Sequence, residues 1–392
     1  VGRARALIAA AALSACGRAE APAASTDVAD AVDARADARP EIVDAVDAPG
    51  APDAGRPDAA ALDAGRHDAG APRDAHAPPD AHPQPTDALA PDAAPPPLHG
   101  LVALPPLPGG PRQEAGVVAL DTDVYVLGGL DETERLLTRV EIYDTLTGVW
   151  RAGAPLPVPM SHANAVEFGG RLYVLGFLGR RYAPDPRGYV FDPPAGTWSA
   201  GPRLPAGRVR GGSGVAVRDG RVYVIGGSAV RAVPLCDVLD LARGAWSILP
   251  DLPEPRDHLA ARFVAGELLV AGGTTGVPEG TLATTWALDE AAAAWRPRGP
   301  LGVARGVAGA AVLDDRLYLL GGEGLGAGAS PAGAFDAIEV YEPSLDAFTT
   351  LAPLPAPRRG FGAVEVDGRV YLAGGAASLG IFPVADFAVW AP

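Results

Sequence analysis

Six near-copies of one apolar strand limit what this chain can fold into. DVYVLGG at residues 123–129 returns as RLYVLGF, RVYVIGG, ELLVAGG, RLYLLGG and RVYLAGG. The glycines that close the copies are Gly128, Gly176, Gly226, Gly272, Gly321 and Gly374, at spacings of 48, 50, 46, 49 and 53 residues. A period near fifty marks a supersecondary unit that cannot bury its apolar faces alone and must stack on its neighbours.

Local signals predict four strands per unit. Asp219-Gly220, Asp367-Gly368 and Gly169-Gly170 sit between apolar runs as tight hairpin turns, so one strand (a) precedes them and the glycine-ended strand (b) follows. Strand c reads VEIYD, GYVFD, CDVLD, TWALD and IEVYE. Strand d begins at an aromatic residue: Trp150, Trp198, Trp246, Trp295 or Phe348. A four-stranded unit of this size is a propeller blade.

The glycine pair after each LYVLGG-type strand, the tyrosine three residues before it and the later tryptophan make residues 99–392 resemble the kelch-repeat proteins. The resemblance implies an all-β fold, a kelch-type β-propeller whose aromatics fill the wedges between blades. Three departures stand out: Phe177 replaces the second glycine of blade two, Leu269 the tyrosine of blade four, and Phe348 the tryptophan of blade five. The sixth blade ends in AVWAP, which aligns with EVYEP and leaves no strand d after it. LHGLVALPPLPGGPR supplies it from the other end, with Leu101 at the tryptophan position. Six blades closed by an N-terminal strand are therefore expected.

Composition divides the chain near residue 98. All the Tyr, Phe and Trp lie beyond it, and from Ala19 to Leu98 only eight apolar side chains exceed Ala in size. That cannot offset the entropy of ordering a chain, so residues 16–98, rich in Ala, Asp and Pro, are expected to be a disordered linker. Residues 1–15 read as a signal peptide: Arg3 and Arg5 precede a short apolar run. LSAC, ending at Cys16, resembles the lipobox of bacterial lipoproteins. That resemblance implies lipidation of Cys16 and a membrane anchor in the cell envelope, and Gly17 after the cysteine fits the outer membrane.

The formal net charge is −15, and there is no lysine. Nucleic acid is thereby excluded as an expected partner, since it calls for a basic face. The propeller carries one cysteine, Cys236, read as a small buried hydrophobe, and no disulfide is available within it.

The d-to-a connections and the b-to-c loops emerge on the same side of such a ring. Arg112, Arg208, Arg256, Arg305 and Arg358 recur along the first set, with Met160 in the sixth place, and Arg210, Arg359, His162 and His258 lie close by. These nine charged or titratable residues are the candidates for ligand binding. Guanidinium groups suit carboxylates, so an anionic ligand is expected. Arginines at such positions can equally bond carbonyls between blades. The b-to-c loops add Arg180 and Arg181 together with Asp131, Glu132 and Glu134.

Propellers carry enzymes and binders alike. The leading expectation is a binding or scaffolding module that recognises protein, peptide or carbohydrate. The alternative is a sugar-processing enzyme resembling sialic acid mutarotase, also an exported six-bladed kelch ring. A protein resembling galactose oxidase is less well matched, because the two His, two Tyr and crosslinked Cys of that copper site cannot be assembled. No cofactor or metal is expected, and no catalytic carboxylate can be placed.

Overall fold

The structure, a computed structural model, describes residues 100–276 and 280–392. The expected signal peptide, Cys16 and the linker lie outside the described residues. β1 (Gly100–Leu104) comes first. Blade one follows as β2 (Gly116–Leu120), β3 (Asp123–Leu127), β4 (Val140–Asp144) and β5 (Val149–Ala152). Blade two is β6 (Ala165–Phe168), β7 (Arg171–Leu178), β8 (Pro184–Asp192) and β9 (Thr197–Gly201), with a 3-10 turn at Arg180–Tyr182. Blade three is β10 (Gly214–Arg218), β11 (Arg221–Ile225), β12 (Cys236–Asp240) and β13 (Ala245–Leu249). Blade four is β14 (Ala260–Val264), β15 (Glu267–Ala271), β16 (Thr285–Asp289) and β17 (Ala294–Arg298). Blade five is β18 (Gly309–Leu313), β19 (Arg316–Leu320), β20 (Ile338–Glu342) and β21 (Ala347–Thr350). Blade six begins with β22 (Gly362–Val366), β23 (Arg369–Ala373) and β24 (Phe387–Ala391).

Among the described residues the sheets are six, each antiparallel and four-stranded, as the repeats predict. In blade six the order is β1-β24-β23-β22, so the first strand closes the ring. Leu101 pairs with Trp390 just as Trp150 pairs with Tyr143. The expected closure and its register are both present.

Burial explains the strand sequences. Strands b such as β3 and β11 are buried along almost their whole length, because both faces meet neighbouring blades, and they read as continuous apolar runs. Strands d such as β5 are largely exposed and can alternate. The aromatics of strand d also tie blades together: the indole N–H of Trp150 donates to the Pro105 carbonyl at 2.8 Å, Trp198 to Ala154 at 3.0 Å and Trp295 to Pro250 at 2.8 Å. Each acceptor lies just past the outer strand of the preceding blade. The hairpin turns at Asp219-Gly220 and Asp367-Gly368 have positive φ at both residues, as tight turns of this kind require.

Strands a line the central channel. Arg262 of β14 reaches sideways there, donating to the carbonyl of Val215 in blade three at 3.2 Å and of Ala310 in blade five at 3.0 Å.

Candidate functional site

The residue fourteen positions before each marker glycine makes the same turn into strand a. These residues are Glu114, His162, Gly212, His258, Val307 and Gly360, and all have φ between 51° and 61°. In that conformation each amide points along the ring to the carbonyl of its counterpart in the preceding blade. The distances are 3.0 Å for His162 to Glu114, 2.9 Å for Gly212 to His162 and 2.9 Å for His258 to Gly212. The circle continues at 3.0 Å for Val307 to His258, 3.1 Å for Gly360 to Val307 and 2.9 Å for Glu114 to Gly360. Six backbone hydrogen bonds thus form a closed circle at one mouth of the channel. Left-handed backbone costs a residue with a Cβ about 1–3 kcal/mol, and glycine fills two of the six places. Glu114, His162 and His258 hold that conformation while their side chains meet over the channel.

His162 Nε2 lies 3.6 Å and His258 Nε2 3.9 Å from Glu114 Oε2, and the two imidazoles touch edge to face at 4.9 Å between centroids. Partners outside the cluster orient each ring. His162 Nδ1 is 2.9 Å from Ser161 Oγ, and His258 Nδ1 is 3.0 Å from Asp257 Oδ1, which also accepts from Thr274 Oγ1 at 2.8 Å. Arg359 Nη1 lies 3.4 Å from Glu114 Oε1 and 2.9 Å from Glu323 Oε2. The group borders a cavity of about 130 Å³.

Environment separates the two histidines. Burial drives the His162 imidazole down to about 4, with Glu114 opposing, so the ring is neutral at pH 7. Burial acts on His258 in the same direction, but Asp257, by charge and hydrogen bond, and then Glu114 outweigh it and raise its pKa to about 9. Burial alone would raise the Glu114 carboxyl; His162, His258 and Arg359 instead hold it below the usual carboxylate range. Glu323, in contrast, is pushed up by burial.

The arginines expected at the mouth are placed differently. Arg112, Arg210, Arg256 and Arg305 are wholly buried, and Arg358 nearly so. Each lies sixteen residues before its marker glycine, as Met160 does, and most reach that glycine's carbonyl. The distances are 3.3 Å for Arg112 to Gly128, 2.7 Å for Arg210 to Gly226, 2.9 Å for Arg256 to Gly272 and 2.7 Å for Arg358 to Gly374. Arg305 donates instead to the Leu319 carbonyl at 3.3 Å. Meanwhile the carbonyls of Arg112, Arg256, Arg305 and Arg358 accept from the second glycine of the preceding blade, as Arg256 does from Gly227 at 2.8 Å, and that of Arg210 accepts from the Asn164 side-chain amide at 3.1 Å. One residue therefore fastens two blades. Arg112, Arg210 and Arg305 are neutralised by Glu141, Asp237 and Glu339, each the second residue of its strand c. Blade two has Met160 and Tyr189 at these two positions, while blades four and six keep Arg256 and Arg358 opposite Trp286 and Ala388; Arg256 pairs with Glu254 instead. Arg208 is not the ring equivalent; Arg210 is. Arg208 pairs with Asp237 and lies 3.6 Å from Asp251. These buried guanidiniums cannot make the positive mouth that their spacing suggested.

Of the nine candidates, the structure brings His162, His258 and Arg359 together at the mouth. Sequence reasoning passed over Glu114, Asp257 and Glu323. The fourteen-residue offset that aligns Glu114 with His162 and His258 was the available signal. Cys236 is wholly buried at the start of β12, where burial raises its thiol to about 12.

On the same face a second recess of about 420 Å³ lies between the β3–β4 and β7–β8 connections, lined by Glu134, Arg135, Leu136, Arg180, Arg181 and Tyr182. Arg181 and Tyr182 both have positive φ, at 58° and 57°. The Tyr182 ring stands 5.9 Å from His162, so recess and mouth adjoin.

Comparison with known proteins agrees with this architecture. The Kelch motif family matches residues 111–157 and 210–253. Kelch-like protein terF of Aspergillus terreus is 28% identical over 282 residues, which are 68% of this chain and 61% of the relative. Beta-scruin of Limulus polyphemus is 30% identical over 141 residues, 34% of this chain and 15% of its own length. Kelch-like protein 33 of Homo sapiens is 33% identical over 138 residues, 34% of this chain and 25% of its own length. The chain thus spans less than two thirds of each of these relatives. Among solved structures, that of YjhT superposes with a TM-score of 0.62 at 17% identity, covering 73% of this chain and 96% of the other, a likeness of fold. Matched motifs, repeat register and six closed blades together make this chain a six-bladed β-propeller that carries Kelch motifs in two of its blades and is similar to kelch-repeat proteins.

Proposed function

We propose that this chain is a ligand-binding module of the bacterial cell envelope, anchored through a lipidated Cys16, whose propeller takes an acidic peptide, protein segment or acidic sugar. The observation that carries the reading is one face of the ring on which a polar mouth and a 420 Å³ recess adjoin. The buried arginines are committed to holding blades. Exposed Arg180 and Arg181 at the recess therefore take over the role of meeting carboxylates. Tyr182, about half exposed, offers an aromatic face for a peptide side chain or a sugar ring. The anchor rests on the charged start, the short apolar run and LSAC at residues 13–16. Propellers of this kind present variable loops on a rigid scaffold, which suits recognition.

Calorimetry with acidic sugars and acidic peptides tests the reading, comparing the protein with Arg180→Ala/Arg181→Ala and with Tyr182→Ala. A ligand of the recess loses about tenfold or more in affinity in these variants, which retain their melting temperature. Equal binding by all three proteins removes the recess from the function. NMR of sialic acid anomers incubated with the protein distinguishes binding from catalysis: a binder leaves their interconversion at its rate in buffer.

A further inference from the structure

We infer that Glu114, His162 and His258 form a three-ligand site for a divalent transition ion of the zinc class, with a fourth position open to the channel mouth. Geometry comes first. One ligand atom from each residue lies within 4.8 Å of the others. The 3.6 and 3.9 Å separations between imidazole nitrogen and carboxylate are too long for hydrogen bonds. Two ligands each ~2.0–2.1 Å from a tetrahedral ion stand about 3.4 Å apart; the two contacts with Glu114 need a closure of a few tenths of an ångström, and the two histidine nitrogens, within 4.8 Å of each other, close by a side-chain rotation of up to about 1.4 Å.

The outer partners are those such a site needs. A metal-binding histidine is held at its second nitrogen by a carboxylate or hydroxyl, which turns the other nitrogen toward the ion. Asp257 does this for His258 and Ser161 for His162, while Arg359 contacts the carboxylate oxygen that faces away from the histidines. Asp257 is itself fixed by Thr274. All three ligands spring from the closed backbone circle, so their Cα positions are set by the ring. Gly212 stands between the two histidine blades, where even a Cβ would touch both imidazoles, at 3.6 and 3.7 Å.

Two imidazoles and one carboxylate suit zinc, and also nickel or copper; magnesium and calcium favour all-oxygen shells. Three protein ligands beside a cavity of about 130 Å³ leave room for a water or for one ligand heteroatom. This inference stands apart from the proposed recess: the ion can bind whether or not an acidic ligand does.

The test uses the full chain, stripped with a chelator and titrated with Zn²⁺ by calorimetry, with Co²⁺ absorption as the reporter of geometry. One ion binds at the mouth, and Co²⁺ gives the intense visible bands of a four-coordinate site. His162→Ala, His258→Gly and Glu114→Gln each weaken zinc by at least about 100-fold, and Asp257→Asn weakens it by about 10–100-fold. His258→Gly guards against a folding artefact, because glycine already occupies the equivalent position in two blades. Histidines outside the ring, His67, His76 and His82, are the competing site. Zinc binding that survives the mouth variants and vanishes when those three become alanine overturns the inference, as does the absence of zinc binding to the unaltered chain.

Discussion

Arg305, like Arg112, combines three tasks in one residue: its side chain neutralises a buried acid and satisfies a carbonyl at strand b, and its backbone carbonyl joins two blades. Arg305 and Glu339 are both fully buried, so removing one strands the other. Arg305→Ala is expected to cost about 3–5 kcal/mol, read as a lower urea midpoint at unchanged slope. The histidine pair sets a pH profile for the metal-free protein, measured with chelator present. His162 has its folded pKa lowered to about 4, so its contribution is full above 6.5 and is lost as pH falls from 6.5 toward 4. His258 has its folded pKa raised to about 9, so its contribution is full below 6.5 and is lost as pH rises from 6.5 toward 9. Melting temperature should peak near pH 6.5, and His258→Gly should flatten the alkaline limb; because the charge on His258 also helps to keep His162 neutral, the acid limb should move as well, to a lesser extent. A His258→Gly protein with an unchanged alkaline limb would refute this assignment.

At the scale of the element, legibility follows the repeat. Strand order, hairpin turns and the closing strand could be read because six imperfect copies display one register, and Leu101 could be seen to occupy a tryptophan's place. Side-chain direction could not be read so simply. Arg208 and Arg210 both lie near the right position, and only the constant sixteen-residue offset to the glycine selects Arg210. The burial of Arg112, Arg210 and Arg305 is matched by Glu141, Asp237 and Glu339, acids that sit on strand c and become neighbours only when the blade folds. Glu114 escaped notice for a related reason, since a lone acid in one blade meets histidines from two others only around a closed ring. Closure also yields a test. A chain starting at Leu98 retains β1, whereas one starting at Pro111 leaves β24 as an open edge. The shorter chain is expected to melt lower and to aggregate; equal melting temperatures would deny β1 its role in closure.

For the whole molecule, the outstanding expectation concerns where it resides. Cys16→Ser should release the protein from the detergent phase and remove the mass of the acyl chains. Retention in that phase with unchanged mass would end the anchoring proposal.

The pairing of Gly100 with Ala391 also has a temporal meaning. A polypeptide that emerges from its amino terminus holds β1 without a mate until about 290 residues have followed, so most of its length exists before the circle can shut. Contacts of such long range are slow to form and leave sticky edges in the meantime. Any truncation before β24 is betrayed at once by two unsatisfied edges, those of β1 and β23, a check on closure built into the ring itself.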